Sequence, residues 1–519
     1  MKRSAGILLP MFSLPSAYGI GSLGAEARAF ANFLQDAGQS WWQILPVGPA
    51  GAGDSPYASE STFAGNPLFI DLELLAKDGL LTEEELTSAK VPNRDKIDYD
   101  ALKKSREPLL RAAFSRVSGE AAEAARAFAE ERPWVREYAL YRAAKRHFGG
   151  LPWFQWPDEG LRRHESGAVE RRRVELAEEV AFEVCLQYWF FTQWAALKAY
   201  VNDLGLGLIG DLPIYVSLDS ADVWSERKEF LLDGEGKPSK VAGVPPDYFS
   251  EDGQLWGNPL YDWEAMRRDG FGWWIRRVEG ASKLFDVIRI DHFRGLESYW
   301  AVPAGSETAR EGTWEKGPGM DLLGVLSSWF QGVSFIAEDL GILTDGVHQL
   351  REASGLPGMK VLEFAFSDPS NAYLPHNHQT RCVCYTGTHD NDTAAGWYAA
   401  APERERAFAE KYLGVSGAEE VRRALLRAGQ GSVAELFVAQ MQDYLGLGGE
   451  SRINVPGVGT GNWRWRLLPG QASPELAEEI RSLTSLYGRC PWIPEPKAEP
   501  EAEAQPEESE QGELPNIDA

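Results

Sequence analysis

Short, unbroken apolar runs recur along the chain, each closed by polar residues or glycine, and they constrain the fold more than any other feature. They occupy residues 5–9, 41–47, 207–216, 284–291, 333–339, 359–366 and 382–388. An eighth falls within 434–441 (AELFVAQM), a segment that could equally be helical. Continuous rather than alternating apolarity is the pattern of parallel strands buried on both faces. Between the runs lie amphipathic stretches with helical spacing, including 23–37, 170–200 and 403–413. About eight strands alternating with helices predict an α/β fold, a (β/α)₈ TIM barrel, with a doubly wound open sheet as the alternative. A barrel needs only roughly 250 residues, so a chain of 519 must carry large insertions. They are expected at about 48–205, mostly helical from 105 to 200, and at about 217–283, within a catalytic unit spanning 1–491.

Residues 492–519 differ in kind from that body. They hold nine acids, one lysine and almost no apolar side chain, too little to offset the entropy of ordering, so a disordered acidic tail is expected. The whole chain carries a formal charge of −25. Such acidity argues against nucleic-acid and anionic-membrane partners, which require a positive surface. No apolar stretch approaches the roughly 20 residues of a membrane helix. Lys2 and Arg3 before GILLPMFSLPSA faintly resemble a signal peptide, but Pro10 and Pro15 break the run, so a cytoplasmic protein is expected. Cys185, Cys382, Cys384 and Cys490 are too few and too scattered for a disulfide framework and read as packing residues.

The acids fall at informative places. Asp211 sits inside GLIGDLPIYV, Asp291 ends DVIRID, Glu338 ends SFIAE, and Asp390 follows CVCYTGTH. Each is at or near the carboxyl end of a run built for burial, and in a barrel those ends converge on one face. One such Asp could be a helix cap; four together point to function, because an unpartnered buried carboxylate is costly. Metal binding is conceivable, since His292 and His389 adjoin two of the acids, but neighbouring strand residues point to opposite faces. Glycoside chemistry fits better, needing one carboxylate as nucleophile and one protonated carboxyl as acid. Arg289, two residues before Asp291, shares its side of the strand and could hold it ionised. Tyr57, Tyr248, Trp256 and Trp263 suit stacking on sugar rings, or are ordinary core aromatics.

Across about residues 5–490 the sequence resembles the amylomaltases, or 4-α-glucanotransferases, of the α-amylase clan. The resemblance rests on nine motifs in order. These are LPSAYGIGSLG (14–24), DSPYASESTFAGNPLFIDL (54–72), GDLPIYV (210–216), PPDYFSEDGQLWGNPLYDW (245–263), RIDHFRG (289–295), AEDLG (337–341), LPGMKVLEFAF (356–366), TGTHDND (386–392) and NVPGVGTGNWRWR (454–466). It implies Asp291 as nucleophile, Glu338 as general acid/base and Asp390 as the third carboxylate, binding sugar hydroxyls. His389 and Arg289 would assist. Ser55, Tyr57, Asp211, Trp256 and Asn462 would contact donor or acceptor sugars, with His292 and Asp368 as further contacts, and Tyr248–Trp256 resembles a loop that covers the glucan.

Two departures stand out. Members often have LQFAFDD where this chain has LEFAFSD, so Glu363 and Ser367 differ. If the sugar-contacting acid is the second Asp, Asp368 preserves it; if the first, a donor-side contact is weakened. LLPMFSLP also lacks a His present in many relatives' LLHPTSLP. The resemblance implies a retaining transglycosylase acting on α-1,4-glucan and maltooligosaccharide donors, with glucose or maltooligosaccharide acceptors. No cofactor or metal is required, and a monomer or weak homodimer is expected. A hydrolase of the same clan and a non-catalytic glucan-binding protein are the rival readings.

Overall fold

The computed structural model describes residues 2–246, 250–341 and 343–491; the acidic stretch 492–519 lies outside them. Among the described residues the strands are β1 (Ser4–Leu8), β2 (Trp41–Gln43), β3 (Gly207–Leu212), β4 (Lys240–Val244), β5 (Gln254–Pro259) and β6 (Val287–Ile290). They continue with β7 (Ser298–Pro303), β8 (Thr313–Lys316), β9 (Ser334–Ala337), β10 (Gly358–Val361), β11 (Cys382–Tyr385) and β12 (Leu436–Gln440).

Eight of these form one parallel sheet in the order β10-β11-β12-β1-β2-β3-β6-β9. The Ala337 N–H donates to the Pro357 carbonyl at 2.9 Å, bringing the ends of the sheet together at β9 and β10. The architecture is therefore a (β/α)₈ barrel, not an open doubly wound sheet. Each apolar run of the sequence overlaps one of the eight strands, and the ambiguous segment 434–441 holds β12, buried at all five positions. Burial on both faces explains why these runs do not alternate.

Amphipathic spacing sets the outer helices. Ala25–Asp36 buries Ala27, Phe30, Ala31, Phe33 and Leu34, the three-and-four spacing of a helix with one face on a core. The 170–200 stretch divides at Leu176 into helices Ser166–Glu175 and Ala177–Asp203. The second is buried nearly all round from Phe182 to Phe190, because it lies between the barrel and helices Gly119–Glu130 and Pro133–His147. At the chain's end Arg489 donates to the carbonyls of Ser4, Gln430 and Ser432, tying the last segment to the start of β1.

The remaining strands make an antiparallel sheet, β5-β4-β7-β8. Two excursions build it: β4 and β5 lie between β3 and β6, whereas β7 and β8 lie between β6 and β9. Its inner face carries Tyr299, Ala301 and Ala242, packed into the main core. No helix among the described residues is long and apolar enough to cross a membrane.

Candidate active site

Strand register brings the acids together. Asp211 is on β3 directly opposite Arg289 on β6. Asp291 and Glu338 extend β6 and β9 by one residue each: the Asp291 N–H donates to the Leu212 carbonyl and the Glu338 N–H to that of Ile290. The two carboxylates thus leave neighbouring parallel strands, which run about 4.8 Å apart.

Arg289, only 3% exposed, is the hub. Its Nη1 donates to Asp211 Oδ2 at 2.5 Å and to Asp291 Oδ1 at 3.0 Å. Asp211 Oδ2 also accepts the Tyr57 hydroxyl at 2.6 Å. Burial opposes a guanidinium charge, but the two aspartates outweigh it and hold Arg289 protonated. Burial and then the Asp211 charge push the Tyr57 hydroxyl up, so it stays a donor.

Glu338 is held by backbone: Oε2 accepts the His292 N–H at 2.6 Å and Oε1 the Leu340 N–H at 3.1 Å. His292 adopts a left-handed conformation, φ 49°, which only a few non-glycine residues occupy and which is found at functional sites. That twist aims its N–H at Glu338. Burial raises Glu338 well above the usual carboxylate range, and the Asp291 charge adds to it. Burial raises Asp291 as well, against Arg289. Only Asp291 is hydrogen-bonded to Arg289, so the proton shared by the pair belongs on Glu338. Burial lowers His292 to about 3, leaving a neutral ring.

Asp390 is the most open of the three, its side chain 44% exposed. Asn454 Nδ2 donates to Oδ1 at 2.6 Å, and His389 Nε2 lies 3.4 Å from Oδ2. Burial lowers His389 despite the Asp390 charge. Its ring stacks on Tyr57 (centroids 5.0 Å apart, 17° between planes), so the segment after β11 and the long connection after β2 meet through this pair. Trp256 faces His292 edge-on at 4.8 Å and is 37% exposed, an aromatic surface beside Asp291.

The other expected contacts divide. Ser55 adjoins the cluster, its Oγ accepting the Tyr57 N–H at 3.2 Å. Asn462 spends its amide on the loop, accepting from Val455 N and donating to the Val455 and Val458 carbonyls. Asp368 sits in an outer turn, accepting from Ser367 and Ser370. Trp263 is 7% exposed and packs on Tyr261 and Trp274 as a core aromatic. Tyr248 lies outside the described residues.

Sequence reasoning passed over three residues here. Trp463, left-handed at φ 63°, packs on Tyr57 and His389. Asn454 holds Asp390, and Arg452 donates to the Asp390 carbonyl. All three lie in or beside NVPGVGTGNWRWR, where only Asn462 was singled out. Among the described residues no three His, Cys, Asp or Glu side chains are grouped as metal ligands.

Comparisons with known proteins point to one family. A family model described as 4-alpha-glucanotransferase matches residues 9–471. The chain is 50% identical over 502 residues to a 4-alpha-glucanotransferase of Thermus thermophilus, covering 94% of this chain and 99% of that one. It is 42% identical to a chloroplastic/amyloplastic 4-alpha-glucanotransferase of Solanum tuberosum, at 94% and 87% coverage. An amylomaltase from Streptococcus agalactiae, solved in complex with acarbose, superposes with a TM-score of 0.92 at 36% identity, covering 94% of this chain and all of that one.

Proposed function

The chain belongs to the 4-alpha-glucanotransferase family, and we propose that it moves α-1,4-glucan segments between maltooligosaccharides by a retaining double displacement. It is an enzyme with 4-α-glucanotransferase activity. The observation that carries the mechanism is the asymmetry of its two central acids: Asp291 is hydrogen-bonded to a buried guanidinium and Glu338 is not.

Arg289 occupies Asp291 Oδ1 and leaves Oδ2 to attack the anomeric carbon. As that bond forms, the glycosidic bond breaks and Glu338 gives its proton to the leaving 4-oxygen. Glu338, now ionised, is stabilised by the N–H groups of His292 and Leu340. It then takes the proton from an acceptor 4-hydroxyl, which displaces Asp291 and restores the original configuration. Retention calls for carboxyls roughly 5–5.5 Å apart, a separation that adjacent strand ends favour. Asp390, open to solvent and oriented by Asn454, binds sugar hydroxyls as the oxocarbenium-like charge develops. His389, Tyr57 and Trp256 give the sugars neutral donors and flat apolar faces, with Ser55, Asp211, His292, Asn462 and Asp368 as supporting contacts.

Transfer prevails over hydrolysis only where a bound acceptor excludes water. The donors are α-1,4-glucans, and the chain acts as a monomer or weak homodimer. All four cysteines are free thiols, as suits the reducing cytoplasm.

The test is product analysis after incubating the pure protein with maltotriose. Glucose with a ladder of longer maltooligosaccharides is the expected result. Glucose and maltose alone would make water the acceptor and the protein a hydrolase. No turnover would overturn the catalytic roles.

A further inference from the structure

Behind the site lies a second group of acids that the mechanism leaves unused. Glu363 follows β10 in a short turn, Leu362–Phe364, and is 4% exposed. Asp443 follows β12 and is fully buried. Both face the segment 386–394 that carries His389 and Asp390. The Glu363 N–H donates to the Thr386 carbonyl at 3.2 Å. Asp443 accepts the Thr386 hydroxyl at 2.5 Å and the Ala394 N–H at 2.7 Å. Gln440 Nε2 donates to the Asp392 carbonyl at 2.7 Å.

Gly387 shows how closely the segment is moulded to this group. A Cβ there would stand 2.5 Å from Glu363 Oε1 and 2.9 Å from Gln440 Nε2, so any larger residue must push one of these side chains aside. Glu363 Oε1 and Gln440 Oε1 are nevertheless both buried without a hydrogen-bond partner. A buried carboxylate oxygen without a donor is costly, and a proton on Glu363 removes that charge.

The charges facing Glu363 agree. Asp443 and Asp392 repel a carboxylate, and Arg452 and a backbone N–H of Asp392 oppose them more weakly. Arg452 donates instead to the carbonyls of Asp390 and Asn454. Arg422 donates to the Asp443 carbonyl and pairs with Glu419. Burial, then Asp443 and Asp392, push Glu363 well above the usual carboxylate range.

We propose that Glu363 is a positioning residue that works as a neutral carboxylic acid, seating the 386–392 turn so that His389 and Asp390 meet the sugar. The proposal rests on the transferase reading for its effect on turnover, though not for its protonation state. A neutral acid here makes Glu363→Gln silent in charge and nearly silent in shape. Glu363→Leu removes the polar group and lets the turn shift, where a displacement of about 1 Å costs up to 10²-fold in rate.

The test compares E363Q and E363L with the unmodified chain on maltotriose, and follows thermal and urea unfolding from pH 5 to 9. E363Q should keep kcat within about twofold, while E363L loses about tenfold or more in kcat with a smaller change in KM. The unfolded glutamate ionises near its ordinary value of about 4.5 while the folded one stays protonated. The native state of the unmodified chain therefore loses ground as pH rises, and the stability advantage of E363Q grows with pH. E363Q as impaired as E363L would mean that the negative charge is needed, overturning the proposal. So would full activity in E363L, or a stability difference independent of pH. If E363L does not fold, the pH-dependence of E363Q still decides. Unfolding does not require turnover, so an absence of transfer would be recognised as failure of the other reading.

Discussion

From β3 onward every strand of the barrel delivers an acid to one rim, and the two halves of that rim treat charge differently. On β3, β6 and β9, Asp211, Asp291 and Glu338 gather about Arg289, a buried cation bonded to two of them. On β10 and β12, Glu363 and Asp443 are more deeply buried than Asp291, yet among the described residues their side-chain oxygens meet backbone N–H or hydroxyl donors, or none. Asp443 is accordingly raised to about 6, by burial first. Burial lifts Asp291, Glu338, Glu363 and Asp443 alike; a cation within hydrogen-bond reach favours the charged form at Asp291. The first half holds the reactive charge, and in the second Glu363 is the neutral member of the seat for the segment bearing Asp390.

The sharpest break of that comparison is at the charged half. Asp291→Asn keeps size and burial but removes the nucleophile. Turnover of maltotriose should fall about 10⁴-fold or more, while calorimetry still detects oligosaccharide binding. Near-normal activity would refute the nucleophile. Arg289→Met comes next, because it strands Asp211 and Asp291 as buried, uncompensated acids. Removing one partner of a buried pair typically costs about 3–5 kcal/mol, measurable by urea unfolding. E363Q should act in the opposite sense above neutrality, and that difference in sign is what the two halves predict.

The pH-dependence of the reactive pair sharpens the point. Glu338 is raised above its ordinary 4.5, so between that value and its folded pKa the unfolded chain has released a proton that the native state keeps. Stability falls as pH rises through this window, and Glu338→Gln should be increasingly more stable than the unmodified chain across it. Activity falls over the alkaline part of the same range as the acid loses its proton. A pH-independent stability difference would show that Glu338 is ionised in the native state.

The sequence revealed the parallel barrel and much less of what surrounds it, for a physical reason. Strands buried on both faces leave unbroken apolar runs, and each of the eight carried that mark. The β7–β8 pair did not: SYWAVP alternates, with Tyr299 and Ala301 inward and Trp300 on the other face, so a search for continuous runs passes over it. Asp291, Glu338 and Asp390 were legible because an acid at the end of an apolar run is conspicuous in one dimension. Trp463 was not, since its contact with Tyr57 depends on a left-handed backbone that no side-chain pattern announces. Glu363 looked like a departure within a motif; its setting against Gly387 and Gln440 exists only once β10, β11 and β12 are side by side.

Gly387→Ala probes that setting directly and should have a smaller effect than either change at Arg289 or Asp291. The new methyl group must displace the Glu363 carboxyl, the end of a side chain with some freedom, or the Gln440 amide. Overpacking of this kind costs about 1–3 kcal/mol, and the turn should move with it, lowering kcat more than it raises KM. Trp256→Ala should have the smallest effect. The ring is 37% exposed and, among the described residues, borders the rings of His292 and Tyr215, so folding loses little. A lost aromatic face is worth about 0.5–1.5 kcal/mol, which corresponds to a roughly two- to tenfold rise in KM for maltotriose with kcat nearly kept. A fall in kcat without change in KM would place Trp256 with the positioning residues instead, acting through the His292 ring and the N–H that holds Glu338.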